Sequence, residues 1–161
     1  MKIDIGDTAP EFTLYDTNKS KVSLENFAGK NVILLFYPFA FSSTCTKELC
    51  EVRDHHSFFE NLGTEVLGIS VDSLYTNAKY KEVHNLNFPL LSDFNKEVSA
   101  EYDSLMDQFA FDYRCVSKRS VFLIDRNRRI AYMEILPSPG DYPDMTKLRG
   151  AVESLESKVK E

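Results

Sequence analysis

The chain has 161 residues, 43% of them apolar, which suits one domain around a single core and leaves little room for two. A net charge of −6, with no long block of one sign, excludes the basic stripe that a nucleic-acid surface needs, and no apolar run approaches the roughly eighteen residues of a membrane span. Three cysteines cannot pair completely and a chain of this size needs no disulfide framework, so thiol chemistry is the better reading.

The opening Met1-Lys-Ile-Asp-Ile-Gly-Asp7 lacks the basic region and apolar core of a signal peptide, and a reducing cytoplasm is the expected compartment. Residues 11–15 and 21–24, separated by the turn-rich Asp16-Thr-Asn-Lys-Ser20, predict an N-terminal β-hairpin laid on the main body as an accessory layer. Asn31-Val-Ile-Leu-Leu-Phe-Tyr37 is a continuous apolar run, as in a strand buried on both faces, and Pro38 ends it. A helix over about 44–61 follows, capped by Ser43 or Thr44, with Leu49, Val52, His56, Phe59 and Leu62 along one face. Cys45 then lies in the first turn, where unsatisfied N–H groups and the positive end of the helix dipole favour thiolate over thiol. A small buried core cysteine is the alternative, but the preceding proline, the hydroxyl residues and the helix start favour a reactive one.

Strand 65–71, helix 74–84 and strand 88–91 continue the alternation and imply a parallel βαβ core. A short helix near 96–102 leads into an irregular aromatic stretch over 106–113, read as a candidate partner or dimer surface. Residues 120–125 and 130–135 form an antiparallel hairpin, its Arg126-Asn-Arg-Arg129 link being a solvated turn rather than a phosphate site. A final amphipathic helix covers 144–159, and with no linker or repeat the expectation is one domain over 1–161.

Strand, Cys-bearing helix, strand, helix, hairpin, helix is the order of the thioredoxin-like α/β fold, a mixed central sheet flanked by helices. Cys45 and Cys50 are five apart, so the C-x-x-C motif is absent and disulfide exchange is disfavoured as the main activity. A metal site from Cys45, Cys50, His55 and His56 fails on spacing, and neither a Gly-rich phosphate loop nor a G-x-S-x-G elbow occurs. No metal or cofactor is expected.

Pro38, Ser42 and Cys45 stand in the spacing Pro-x-x-x-Ser-x-x-Cys. With Gly6-Asp-Thr-Ala-Pro-Glu-Phe-Thr-Leu14, Gly68-Ile-Ser-Val-Asp72, Phe88-Pro-Leu-Leu-Ser-Asp93 and Lys118-Arg-Ser-Val-Phe-Leu-Ile-Asp125, the chain resembles the peroxiredoxins along nearly its whole length. Cys45-Thr-Lys-Glu-Leu-Cys50 is similar to the bacterioferritin-comigratory (Q-type) and one-cysteine alkyl hydroperoxide reductase E-like branches. The resemblance implies a thiol peroxidase that reduces hydrogen peroxide and alkyl hydroperoxides. Cys45 would attack the O–O bond while Ser42, Arg119 and the backbone N–H groups of Thr44 and Cys45 stabilise the departing oxygen. Pro38 would shield the thiolate and Glu48 would orient Arg119, although a carboxylate near a helix start also suits the dipole unaided. Ionising a thiol that is already a few per cent thiolate raises the rate only about thirty-fold, so positioned donors must supply most of the acceleration. Ser42 stands where threonine is commoner; it keeps the hydroxyl and loses a methyl that restricts the rotamer.

The sulfenic acid left on Cys45 must be reduced through a thiol. Cys50 is the candidate resolving cysteine, yet on an intact helix residues five apart have Cα atoms about 8–9 Å apart, beyond the roughly 7 Å that a disulfide spans. Q-type relatives imply an unwinding helix and a 45–50 disulfide. Cys115 could resolve instead, and without either the reductant would be thioredoxin, a glutaredoxin-like protein or a small thiol. The resemblance also implies a homodimer, with Phe39, Phe41, Phe109 and Phe111 in the contact; core packing explains these four equally well. The rival function is a thioredoxin-fold redox sensor or holdase switched by Cys45 oxidation without turnover.

Overall fold

Six consecutive buried residues in one strand require cover on both faces of the sheet, and the computed structural model provides it. The structure describes residues 2–159; Met1, Lys160 and Glu161, the ends of the expected domain, lie outside the described residues. The strands are β1 (Thr13–Asp16), β2 (Lys21–Ser23), β3 (Asn31–Phe36), β4 (Thr64–Ser70), β5 (Leu90–Ser92), β6 (Leu105–Gln108), β7 (Arg114–Ser117), β8 (Ser120–Ile124) and β9 (Ile130–Ile135). Seven of them form one sheet in the order β2-β1-β5-β4-β3-β8-β9, and β6 and β7 form a separate ribbon. β3, β4 and β5 run parallel, as the βαβ alternation requires, and β8 and β9 continue antiparallel. The helices are α1 (Ser43–Asp54), α2 (His56–Asn61), α3 (Leu74–Val83), α4 (Glu97–Glu101) and α5 (Met145–Val159).

Side chains alternate along β3. Ile33 and Leu35, with Tyr37, join Leu49 and Val52 of α1, Phe59 of α2, Tyr80 of α3 and Leu148 and Val152 of α5. Val32, Leu34 and Phe36 meet Val98 of α4, Leu24, Tyr102 and the N-terminal Ile3, Ala9 and Phe12 on the other face.

Three expectations change. The N-terminal hairpin is not a separate layer, because β1 pairs antiparallel with β5 and extends the sheet (Tyr15↔Ser92, Asp16↔Leu91). The helix over 44–61 is two helices broken at His55, whose backbone leaves helical geometry (φ −105, ψ 11). The His55 ring donates from Nδ1 to the Glu51 carbonyl at 2.9 Å, ending α1 by the local side-chain bonding that competes with helix continuation. Thirdly, the aromatic stretch is a hairpin: β6 and β7 pair from Leu105↔Ser117 to Gln108↔Arg114, around a turn in which Phe111 and Asp112 have positive φ.

Candidate active site

The register of β3 against β8 builds the site. Phe36↔Ser120 is the last pair of the ladder, so the segments carrying Pro38 and Arg119 leave the sheet at the same end of two neighbouring interior strands. Pro38 is buried there, and the loop after it turns into α1, where Ser42 is the N-cap, rather than Ser43 or Thr44. Ser42 has the extended cap backbone (φ −72, ψ 149), and its carbonyl accepts from Thr46 N at 2.9 Å. Its hydroxyl makes no capping bond and lies buried without a hydrogen-bond partner among the described residues. Cys45 occupies the first turn, fully buried.

Arg119 joins the distant parts. Its Nη2 lies 3.2 Å from Cys45 Sγ and its Nη1 donates to Glu48 Oε2 at 2.8 Å, with all three side chains at 1% exposure or less. Nε and Nη2 also donate to the Pro139 carbonyl, at 3.3 and 3.0 Å. The corner carrying Arg119 is pinned by Lys118 N donating to the Ser104 carbonyl at 2.6 Å and by Leu136 N donating to Arg119's own carbonyl at 3.0 Å. Burial opposes the guanidinium charge, but Cys45 and Glu48 outweigh it and hold its pKa up. Burial also lifts the Glu48 carboxyl to about 7; Arg119 pulls the other way, while Glu134 and Glu51 add to the rise. Glu48 Oε1 has no hydrogen-bond partner among the described residues. The arrangement is therefore a thiol and a carboxyl sharing one permanent cation in a buried pocket, where a planar fork can serve both at once.

Cys45, Glu48 and Arg119 thus meet, with Ser42 and Pro38 on the segment that opens α1. Cys50 lies farther along α1, half-buried, and Cys115 sits on β7 with a positive φ of 57°. All three cysteines are free thiols. Among the described residues no three His, Cys, Asp or Glu side chains are grouped to hold a metal ion.

The profile of the AhpC/TSA family matches residues 5–133. The chain belongs to this family of peroxiredoxins. Peroxiredoxin Bcp of Bacillus subtilis is 37% identical over 132 residues, covering 81% of this chain and 83% of that protein. Alkyl hydroperoxide reductase E of Mycobacterium tuberculosis is 36% identical over 156 residues, covering 95% and 98%. The crystal structure of peroxidoxin BcpB from Mycobacterium tuberculosis superposes with a TM-score of 0.83 at 28% identity, over 95% of this chain and 98% of that one, in keeping with the thioredoxin-like fold. Like its family, this peroxiredoxin is a thiol-dependent hydroperoxide reductase, and the sensor alternative is not favoured.

Sequence reasoning missed three groups around this site. Asp72, two residues beyond β4, accepts from Ala40 N at 2.8 Å and from Ser70 Oγ at 2.7 Å, tying down the loop between Pro38 and Ser42. Its signals were a lone acid after an apolar strand and its place at the end of Gly68-Ile-Ser-Val-Asp72, one of the stretches that carry the resemblance. The Pro139 carbonyl is a backbone group, announced by nothing but the turn-forming Ser138-Pro-Gly-Asp141. Tyr142 donates to Glu51 Oε2 at 3.0 Å, and no periodicity marks it.

Proposed function

We propose that Cys45 is the peroxidatic nucleophile and Arg119 the group that steadies both its thiolate and the breaking O–O bond. The contact of Arg119 with Cys45 Sγ and Glu48 together, in a buried pocket, carries this reading. The thiolate attacks the distal oxygen of the hydroperoxide, an S–O bond forms, the O–O bond breaks, and the alkoxide or hydroxide that leaves takes up a proton as alcohol or water. Ser42 Oγ, buried and unpartnered, is free to donate to the peroxide, and the N–H groups of Thr44 and Cys45 add the positive end of α1. Pro38 walls the pocket and Glu48 holds the guanidinium in plane.

Cys50 resolves the sulfenic acid. Its sulfur bonds to Cys45 Sγ, the S–O bond breaks, and hydroxide leaves with the thiol proton as water. A dithiol reductant of the thioredoxin or glutaredoxin type, or a small thiol, then reduces the disulfide. Cys115 is a bystander in this scheme. The working form is a homodimer joined through the aromatic surface around Phe41 and Phe111. Among the described residues no helix is long and apolar enough to cross a membrane, and we place the enzyme in the cytoplasm.

The test is peptide mass spectrometry after one equivalent of hydrogen peroxide, on wild type and Cys50→Ser. Loss of two hydrogens in a peptide pair joining Cys45 to Cys50 supports the two-cysteine cycle. A dimedone adduct on Cys45 in both proteins would move resolution to an external thiol, and an unreactive Cys45 would remove the reading. Continuous peroxide consumption with a thioredoxin system separates an enzyme from a sensor, which reacts once and stops.

A further inference from the structure

Residues 136–144, Leu-Pro-Ser-Pro-Gly-Asp-Tyr-Pro-Asp, join β9 to α5 without regular structure, yet they are fastened along their length. At one end Leu136 N donates to the Arg119 carbonyl. In the middle Asp141 N donates to the Ser138 carbonyl at 3.0 Å and Ser138 N to Asp141 Oδ2 at 3.2 Å, closing the turn that aims the Pro139 carbonyl at Arg119. At the other end Asp144 N donates to Glu134 Oε2, which also accepts from Tyr132 OH. Between turn and end, Tyr142 reaches α1: its hydroxyl is 3.0 Å from Glu51 Oε2 and 3.4 Å from the Lys47 carbonyl oxygen, and Lys47 Nζ sits 4.8 Å above its ring. Burial first, and then the bond to Glu51, raise the hydroxyl's pKa, so it stays a donor.

The grip falls on a telling stretch. Lys47 lies between Cys45 and Cys50 and Glu51 directly follows Cys50, so Tyr142 holds the piece of helix that must unwind before the two sulfurs can meet. Through Pro139 the same strap supplies the backbone acceptor that keeps Arg119 on Cys45.

We propose that Tyr142 is a positioning residue that fastens the 136–144 strap across α1, seating Arg119 for attack on peroxide and holding back the helix opening that lets Cys50 resolve Cys45. This rests on the reading of Cys45 and Cys50 given above. Closed, the strap favours the first chemical step. Open, it favours the second, and the balance sets how long the sulfenic acid stays exposed to a further peroxide that would carry it to sulfinic acid.

The experiment compares wild type, Tyr142→Phe and Tyr142→Ala as full chains. In the reduced proteins, amide hydrogen exchange over 46–51 should quicken about tenfold in Tyr142→Ala, the equivalent of about 1.4 kcal/mol, and less in Tyr142→Phe, which keeps the ring over Lys47. Exchange in α3 and the core strands should stay as in wild type, a pattern that general loosening would not give. In rapid-quench peptide mapping after one equivalent of hydrogen peroxide, Tyr142→Ala should form sulfenic acid several-fold more slowly and close the 45–50 disulfide several-fold faster. Unchanged exchange over 46–51 overturns the proposal whatever the cysteines do. Slowing of both chemical steps together overturns it too, because a strap that merely supports the fold would act that way. If wild type forms no 45–50 disulfide, the two-cysteine reading fails by itself; the exchange result and the sulfenic-acid rate in a Cys50→Ser background still decide whether Tyr142 seats Arg119 and steadies α1.

Discussion

Arg119 serves a sulfur and a carboxylate with separate nitrogens, and this sets what its replacements should do. Arg119→Lys brings a charge but no fork, so the rate of Cys45 with hydrogen peroxide should fall by about a hundredfold or more, and Arg119→Ala should fall at least as far. Competition against a reporter peroxidase measures both, and a wild-type rate in Arg119→Ala would remove Arg119 from the mechanism. Ser42→Ala should lose less, since one neutral donor goes while the cation stays. Glu48 adds a signature in stability. Its carboxyl is raised from 4.5 to about 7, chiefly by burial and against the pull of Arg119. The folded chain therefore holds a proton that the unfolded chain has released between those values. The resulting stabilisation is complete below about 4.5 and is lost as pH rises through about 7. The unfolding free energy of wild type minus that of Glu48→Gln should fall by roughly 3 kcal/mol across this window, read from urea titrations at its two ends. A flat difference would mean that Arg119 keeps the carboxylate ionised throughout.

At the level of elements, α1 is held from several sides. Leu49 and Val52 bury its inner face, Thr46 Oγ1 and Tyr80 OH of α3 lie 3.0 Å apart, and the strap lies across Lys47 and Glu51. Leu49→Ala removes a fully buried side chain and should cost about 2–5 kcal/mol in denaturant unfolding. The loop that feeds α1 depends on one carboxylate. Asp72→Ala strands the Ala40 N–H and leaves Ser70 Oγ only its longer bond to Asn77 Oδ1 at 3.4 Å, and the expected outcome is a peroxide rate lowered about tenfold. Asp72→Asn keeps an oxygen acceptor and should recover most of that rate in the same competition assay. Equal losses in the two variants would point to the charge of Asp72 rather than to its hold on the loop.

Over the whole molecule, several exposed aromatic side chains belong to the loops around the site. All four phenylalanines expected in a dimer contact touch aromatic rings of their own chain: Phe39 packs edge-on against Phe109 and Tyr113, with centroids 5.3 and 5.5 Å apart, Phe41 lies 4.9 Å from Tyr80 and Phe111 6.1 Å from Tyr113. Phe111 remains 82% exposed and Phe41 50%. Single exposed apolar residues are ordinary, but two on the loops around the site suit the homodimer proposed above. Phe111→Asp should weaken the proposed self-association at least about tenfold in sedimentation velocity, whereas Phe109→Ser should act mainly by loosening the β6–β7 ribbon. A wild-type sedimentation profile for Phe111→Asp would remove Phe111 from the proposed contact, and a monomeric wild type would remove the dimer itself.

What the sequence determined by itself was local. The apolar run of β3, the hydroxyl-rich start of α1 with Cys45 in its first turn, and the hairpin of β8 and β9 are each written in a few neighbouring residues, because burial period, capping chemistry and turn formation act over that range. Arg119 was legible only through resemblance, since nothing in Lys118-Arg-Ser120 says where a strand pairs. Tertiary structure decided the rest. The β3–β8 register brought Arg119 across the chain to Cys45, β5 gave the N-terminal hairpin an edge to join, and the His55 ring turned one helix into two. The Pro139 carbonyl and the grip of Tyr142 on α1 were out of reach of any sequence pattern: one is a backbone atom that every residue carries, and the other is a contact between segments whose proximity exists only once the sheet has formed.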